Sequence, residues 1–493
     1  MPEDAARNEA PEKEKEEGRE LTEQEASRKL TGTFGRKKLA YTARAATQVF
    51  EVDGKKVSYF YVDYVADGAD PAERPILFCF NGGPGSSTVW LNLGLFGPKR
   101  MQFDDEGFKV GMQGRLVDNP YSILDVCDVV CIDAMGTGLS RAGKEEDQKA
   151  FYHFRKDIEA FAAFIVRYLN RNGRWASPKY LAGESYGTLR AAGLARELFD
   201  RYDVEFNGIM LISAVLNYQT VKSDYAWKLF PPGNDLPYML YLPTYAATAW
   251  YHERLPKKLQ DRKLADFLEE VEEFAMGEYW TALAKGDNLP HKERQRVLKR
   301  YAAYTGLSEE YVDFYDLRVN ILRFCKELLR DRKRTVGRID SRFTGIDRVP
   351  AGDGIESDPS LDATGGVAAS ALNHFLRVEL GFDTEEIYEI MSAEVLQNWD
   401  YEDFKNQYVD TSEALREVMS RSPGTKVWVA NGYYDLATPY FATEYTFSHM
   451  GLDPEVRPNV TMEYYEAGHM MYIHLESLRR MAGHLRDFVK ATS

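Results

Sequence analysis

Gly183-Glu184-Ser185-Tyr186-Gly187 constrains this chain more than any other stretch. A serine between two glycines, after a run of small residues and ahead of a helix-like segment, marks a strand that turns sharply into a helix. Only glycines fit beside the serine in so tight a turn. The turn lifts the hydroxyl above the strand ends and aims the first helical N–H groups at an oxygen reacting there. The pentapeptide alone decides little. With glycine at about 7% of residues it arises by chance in roughly one chain in six of this length. Its meaning depends on what lies downstream.

Downstream, the required partners come in the order acid, then histidine. Thr425-Lys426-Val427-Trp428-Val429-Ala430 reads as a buried strand, introduced by the turn pair Pro423-Gly424. It leads into a loop that carries Asp435. Val460 to Tyr465 reads as another strand, followed by Glu466-Ala467-Gly468-His469. Open α/β sheets assemble their sites in loops at the carboxyl ends of strands, and both residues fall in such loops. A serine hydroxyl is a weak nucleophile until a base takes its proton; His469 fits that role and Asp435 would fix its tautomer. Asp410 and Asp453 are rival acids, but neither directly follows a convincing strand.

Upstream, Pro75 to Phe80 is an apolar strand that opens into Asn81-Gly82-Gly83-Pro84-Gly85-Ser86-Ser87. Glycines there present backbone N–H groups at close range, as an oxyanion-binding loop needs. A phosphate-binding loop is the alternative, and the absence here of both G-x-G-x-x-G and G-x-x-x-x-G-K-[ST] weighs against it.

These blocks, with Asp133 to Ser140 behind the apolar strand Val129 to Ile132 and Ala-Gly-His-Met at 467–470, resemble the serine carboxypeptidase family over roughly residues 40 to 490. The resemblance implies an α/β-hydrolase fold: a central, mostly parallel sheet with an inserted, mainly helical cap. It matches Ser185, Asp435 and His469 to the catalytic triad, and the Gly83 and Tyr186 amides to the oxyanion hole. It matches Asn81, Gly82 and Glu184 to the group that holds the terminal carboxylate of a peptide. The implied activity is removal of C-terminal residues through an acyl-enzyme, on peptides with a free C-terminus and without cofactor. Glu184 must then be protonated to bind a carboxylate, which a second carboxylate nearby would favour.

The chain departs from this family at Leu95-Phe96-Gly97-Pro98, where a second glutamate is usual in place of Leu95, and at Ser86, where a cysteine is usual. The expectation is a weakened carboxylate clamp, with a milder acid preference or a broader specificity. An esterase or acyltransferase on the same triad is the alternative that Leu95 favours, since an ester needs no clamp. A non-catalytic binding protein of this fold is the reading from another class, and the complete triad weighs against it.

Composition narrows the rest. A net charge of −15 argues against nucleic acid, and no run of eighteen apolar residues exists to span a membrane. Cys127 and Cys131 have no partner pair and the histidines show no ligand spacing, so no metal site is expected. The start of the chain is dense in Glu, Lys and Arg, which reads as a disordered charged tail over 1–30. It lacks the apolar core of a signal peptide. With only four cysteines in the chain, that favours a cytoplasmic, reducing compartment, or else a secreted or periplasmic protein whose leader has been removed.

Periodicity divides the remainder. The first part of the core is expected over 31–217, opening with a β extension that turns at Asp53-Gly54. A helical cap follows over 218–422, with apolar stripes at Leu264, Phe267, Leu268, Val271 and Phe274, and at Leu372, Phe375, Leu376 and Leu380. The second part of the core, 423–493, ends in a helix striped by Leu475, Leu478, Met481, Leu485 and Phe488. The aromatic cluster from Trp227 and Phe230 through Tyr238, Tyr241, Tyr245, Trp250 and Tyr251 either lines a substrate pocket or packs the cap on the sheet, with packing the simpler reading. The oligomeric state is open.

Overall fold

Short β-branched and aromatic runs bounded by turns form the centre of the molecule. The computed structural model describes residues 18–221 and 233–493. Its main sheet has ten strands. They include β1 (Glu25–Phe34), β2 (Lys37–Val52), β3 (Lys55–Ala66), β4 (Ile76–Phe80), β5 (Asp128–Ile132), β6 (Lys179–Glu184), β7 (Gly208–Ile212), β8 (Lys426–Gly432) and β9 (Val460–Tyr465). Their order across the sheet is β1-β2-β3-β5-β4-β6-β7-β8-β9, and the two-residue strand Arg141–Ala142 adds to β3. The first three strands form an antiparallel extension that joins β5 antiparallel, and from β5 to β9 every pairing is parallel. Strands β4, β5 and β7 are buried along their whole length, as strands covered on both faces must be.

Helices cover both faces. On one lie α1 (Phe154–Asn172), α2 (Tyr186–Tyr202) and α6 (Ser412–Arg421), which share a core with Phe78, Leu181, Ile209 and Val427. On the other lie α5 (Pro359–His374), its continuation to Leu380, and α7 (Leu475–Thr492), packed with Leu77, Cys79, Ala182 and Trp428. Helix α1 stops at a left-handed Gly173, with φ 63°. A third core belongs to the cap, where α3 (Leu236–Tyr251) packs with α4 (Leu264–Phe274).

Two expectations need correction. Composition predicts a disordered tail over 1–30, but β1 begins at Glu25 and Glu25 to Leu30 pair with Ala46 to Tyr41. The strand lies at the sheet edge, so its charged side chains stay in water while its backbone is paired. Charge density reports side-chain solvation and is silent on backbone pairing. Residues 1–17, where the rest of that expectation falls, lie outside the described residues. The span 218–422 is also not one cap. Its later helices α5 and α6 pack on the two faces of the central sheet, because an apolar stripe specifies a buried face and not the partner that buries it.

Of the aromatic cluster, Trp227 and Phe230 lie outside the described residues. Tyr238, Tyr241 and Tyr245 are buried in this third core, which the cap shares with Tyr434, Leu436 and Tyr440, and Tyr245 stacks on Phe324 at 4.1 Å. They pack the cap.

Candidate active site

The strand-to-helix turn takes the form that the two glycines predict. Ser185 caps α2 with φ 59° and ψ −128°, a backbone conformation costing about 1–3 kcal/mol that the surroundings must enforce. They do so by contact. A Cβ on Gly183 would lie 2.0 Å from the Gly187 oxygen, and one on Gly187 would lie 2.8 Å from the Phe80 oxygen. Both obstacles are backbone and cannot swing away. Gly183→Ala is therefore expected to cost at least the ~1–3 kcal/mol of ordinary overpacking, read as a lower melting temperature by calorimetry. A melt equal to the parent's would show that the turn is looser than this packing.

His469 and Asp435 meet as the sequence predicts. The imidazole Nδ1 donates to Asp435 Oδ2 at 2.7 Å, with Asp435 fully buried and His469 4% exposed. Asp435 accepts three further hydrogen bonds: the Ala437 and Thr438 amides on Oδ1 at 2.8 and 2.9 Å, and the Thr438 hydroxyl on Oδ2 at 2.7 Å. Burial pulls the His469 pKa down, but the charge and hydrogen bond of Asp435, helped by Glu184, outweigh it and leave the pKa raised. The rival acids serve elsewhere. Asp410 accepts from Ser412 at the start of α6, and Asp453 closes a local turn by accepting from the Glu455 amide.

Ser185 is linked to the His469 backbone through β7 and the residue after it. Its amide donates to the Ile212 oxygen at 3.0 Å, and the next residue, Ser213, donates its hydroxyl to the His469 oxygen at 2.6 Å. The Ser185 hydroxyl itself makes no hydrogen bond to His469 or to any other described residue. Catalytic hydrogen bonds often tighten only around a bound substrate.

The glycine loop lies against the turn. A Cβ on Gly82 would stand 2.5 Å from the Tyr186 nitrogen, and Gly83 has φ 108°. The Gly83 and Tyr186 amides donate to no protein acceptor among the described residues. Asn81 donates from Nδ2 to Glu184 Oε1 at 2.8 Å, while its Oδ1 accepts from the Leu91 amide at 3.0 Å. Glu184 is 3% exposed, and burial pushes its carboxyl up to about 7. Asp435 adds to that rise, while His469, Tyr472 and Asn81 oppose it. Leu95 is a core residue at 1% exposure in the turn Leu91–Phe96 and brings no acid.

Sequence reasoning missed several supports. Tyr472 donates to Glu184 Oε2 at 2.7 Å. The insertion also fastens the site: Ile339 accepts the His469 amide at 2.8 Å, and the Ser392 amide donates to the Gly85 oxygen at 2.7 Å. Arg190, fully buried on α2, donates to the Asn81 oxygen at 2.7 Å and to Asp157 Oδ2 at 2.6 Å. Only Tyr472 had a signal, its place three residues after His469, and that is too slight to assign a role.

Comparison with known proteins agrees with this architecture. The family model described as serine carboxypeptidase matches residues 45–485. Serine carboxypeptidase-like 36 of Arabidopsis thaliana is 26% identical over 185 residues, covering 36% of this chain and 34% of that protein. Serine carboxypeptidase-like 8 of the same plant is 26% identical over 148 residues, covering 30% and 33%. The chain thus spans about a third of the length of these curated relatives. A prohormone-processing carboxypeptidase from Saccharomyces cerevisiae superposes with a TM-score of 0.54 at 14% identity, covering 91% of each chain. The fold is that of an α/β-hydrolase.

Proposed function

We propose, for a chain that belongs to the serine carboxypeptidase family, that it hydrolyses the C-terminal peptide bond of peptides through an acyl-enzyme on Ser185. The observation that carries this reading is the buried Asp435–His469 pair set beside the buried Asn81–Glu184 pair at one edge of the sheet. The first pair serves a serine nucleophile and the second serves a terminal carboxylate.

In this reading, His469 takes the Ser185 proton as the oxygen attacks the scissile carbonyl, and Asp435 stabilises the imidazolium that forms. The Gly83 and Tyr186 amides receive the oxyanion, where one such donor is worth about 10²–10³ in kcat. His469 then passes the proton to the departing amino group, and a water repeats the sequence to free the acid. Asn81 and protonated Glu184, with the Gly82 backbone, hold the carboxylate of the departing residue. Leu95, a buried core residue that brings no acid, supports the second reading, an esterase or acyltransferase with the same nucleophile.

A mass-spectrometric time course on N-blocked peptides, each beside its C-terminally amidated form, tests this. The expected result is a ladder that loses one C-terminal residue at a time, slower on the amides. Cleavage of small esters without any trimming would instead establish the second reading. Resistance to a fluorophosphonate probe would make the chain a binding protein.

A further inference from the structure

Glu184 is held from two sides, and the second holder is unexpected. Tyr472, 1% exposed, sits in the turn Met471–Ile473 and donates to Glu184 Oε2 at 2.7 Å, opposite the Asn81 contact on Oε1. Its ring lies on Gly94, where a Cβ would come within 2.4 Å of Tyr472 Cε2. Gly94 is the neighbour of Leu95 in the turn Leu91–Phe96. The phenol thus crosses the turn that carries Leu95 and brings a hydroxyl, not a carboxyl, to Glu184.

We propose that Tyr472 is a specificity-determining positioning residue: its hydroxyl is the neutral partner of Glu184, so a substrate carboxylate meets a clamp with one titrating acid. The proposal rests on the carboxypeptidase reading above.

Burial keeps the Tyr472 phenol protonated far beyond neutral pH. The groups that act on Glu184 are then His469, Tyr472, Asp435 and Asn81. With its proton on, Glu184 donates to the incoming carboxylate and still accepts from Tyr472. With its proton off, Tyr472 and Asn81 both donate to the carboxylate of Glu184, and a second anion is repelled. Ionisation of Glu184 therefore weakens binding of peptide acids and leaves peptide amides untouched. His469 must be neutral for both substrates, so the ratio of kcat/KM for a peptide acid over its amide isolates Glu184 from the base.

That ratio is the measurement, taken between about pH 5 and pH 9 for the parent, Tyr472→Phe and Glu184→Gln. For the parent, the ratio is expected to fall tenfold per pH unit above a single break near 7, where burial places Glu184. Tyr472→Phe removes a donor that favours the ionised form, so the break moves up by about one pH unit while amide hydrolysis persists. Glu184→Gln, which cannot ionise, flattens the ratio. A Tyr472→Phe break that coincides with the parent's, or a parent fall steeper than tenfold per unit, overturns the proposal alone. Cleavage of esters but of no peptide acid overturns the carboxypeptidase reading and the proposal with it.

Discussion

Ser185→Ala is expected to lower kcat/KM on peptides and esters by roughly 10⁶, leaving only what binding and the oxyanion hole can do without a nucleophile. The substitution removes one hydroxyl that has no hydrogen-bond partner among the described residues, so no buried donor or acceptor is orphaned. The strained backbone at φ 59° is set by the glycines on either side and not by the serine side chain. The variant should therefore melt with the parent and lose fluorophosphonate labelling. That combination separates a missing nucleophile from a damaged fold. Parent-like hydrolysis by Ser185→Ala would remove Ser185 from the mechanism.

The second large effect is expected at Asp435. Asparagine has the same shape as aspartate but one of its two ends is a donor. Placed toward Oδ1, the NH₂ group would face the donating Ala437 and Thr438 amides, which have no freedom to turn. It must therefore face Thr438 and His469. Thr438 can rotate its hydroxyl to accept, as it can toward the Ser213 oxygen in donating. His469 Nδ1 would then accept as well, which moves the imidazole proton to the nitrogen that must act as base. Asp435→Asn should lower kcat by about 10⁴ near neutral pH with little change in KM. A loss of tenfold or less would mean that Asp435 only anchors its loop.

What the sequence made legible follows from where its signals are local. The strand-to-helix turn is written in Gly183 and Gly187, because backbone atoms occupy the space where a Cβ would be. The positions of Asp435 and His469 follow from the strands β8 and β9, with their β-branched and aromatic residues, just before them. The packing of the insertion was not legible. Phe375 lies on a clean helical stripe, but it packs against Tyr64 of β3, at 6.4 Å between ring centres, and not within the cap. Helix spacing records that a face is apolar, whereas its partner is set by chain topology. Tyr472 was illegible for a related reason. Its role depends on the turn around Gly94, nearly four hundred residues earlier in the chain, and no spacing rule joins the two.

The parallel half of the sheet is completed by its last strand, β9, and His469 follows directly behind it. About 280 residues separate Ser185 from this base, which is roughly 15–55 s of ribosomal synthesis. Throughout that interval the growing polypeptide carries Ser185 without the base that the proposed mechanism assigns to it. In the proposed mechanism, the order of the chain therefore delays hydrolysis until the last strand of the sheet has been made.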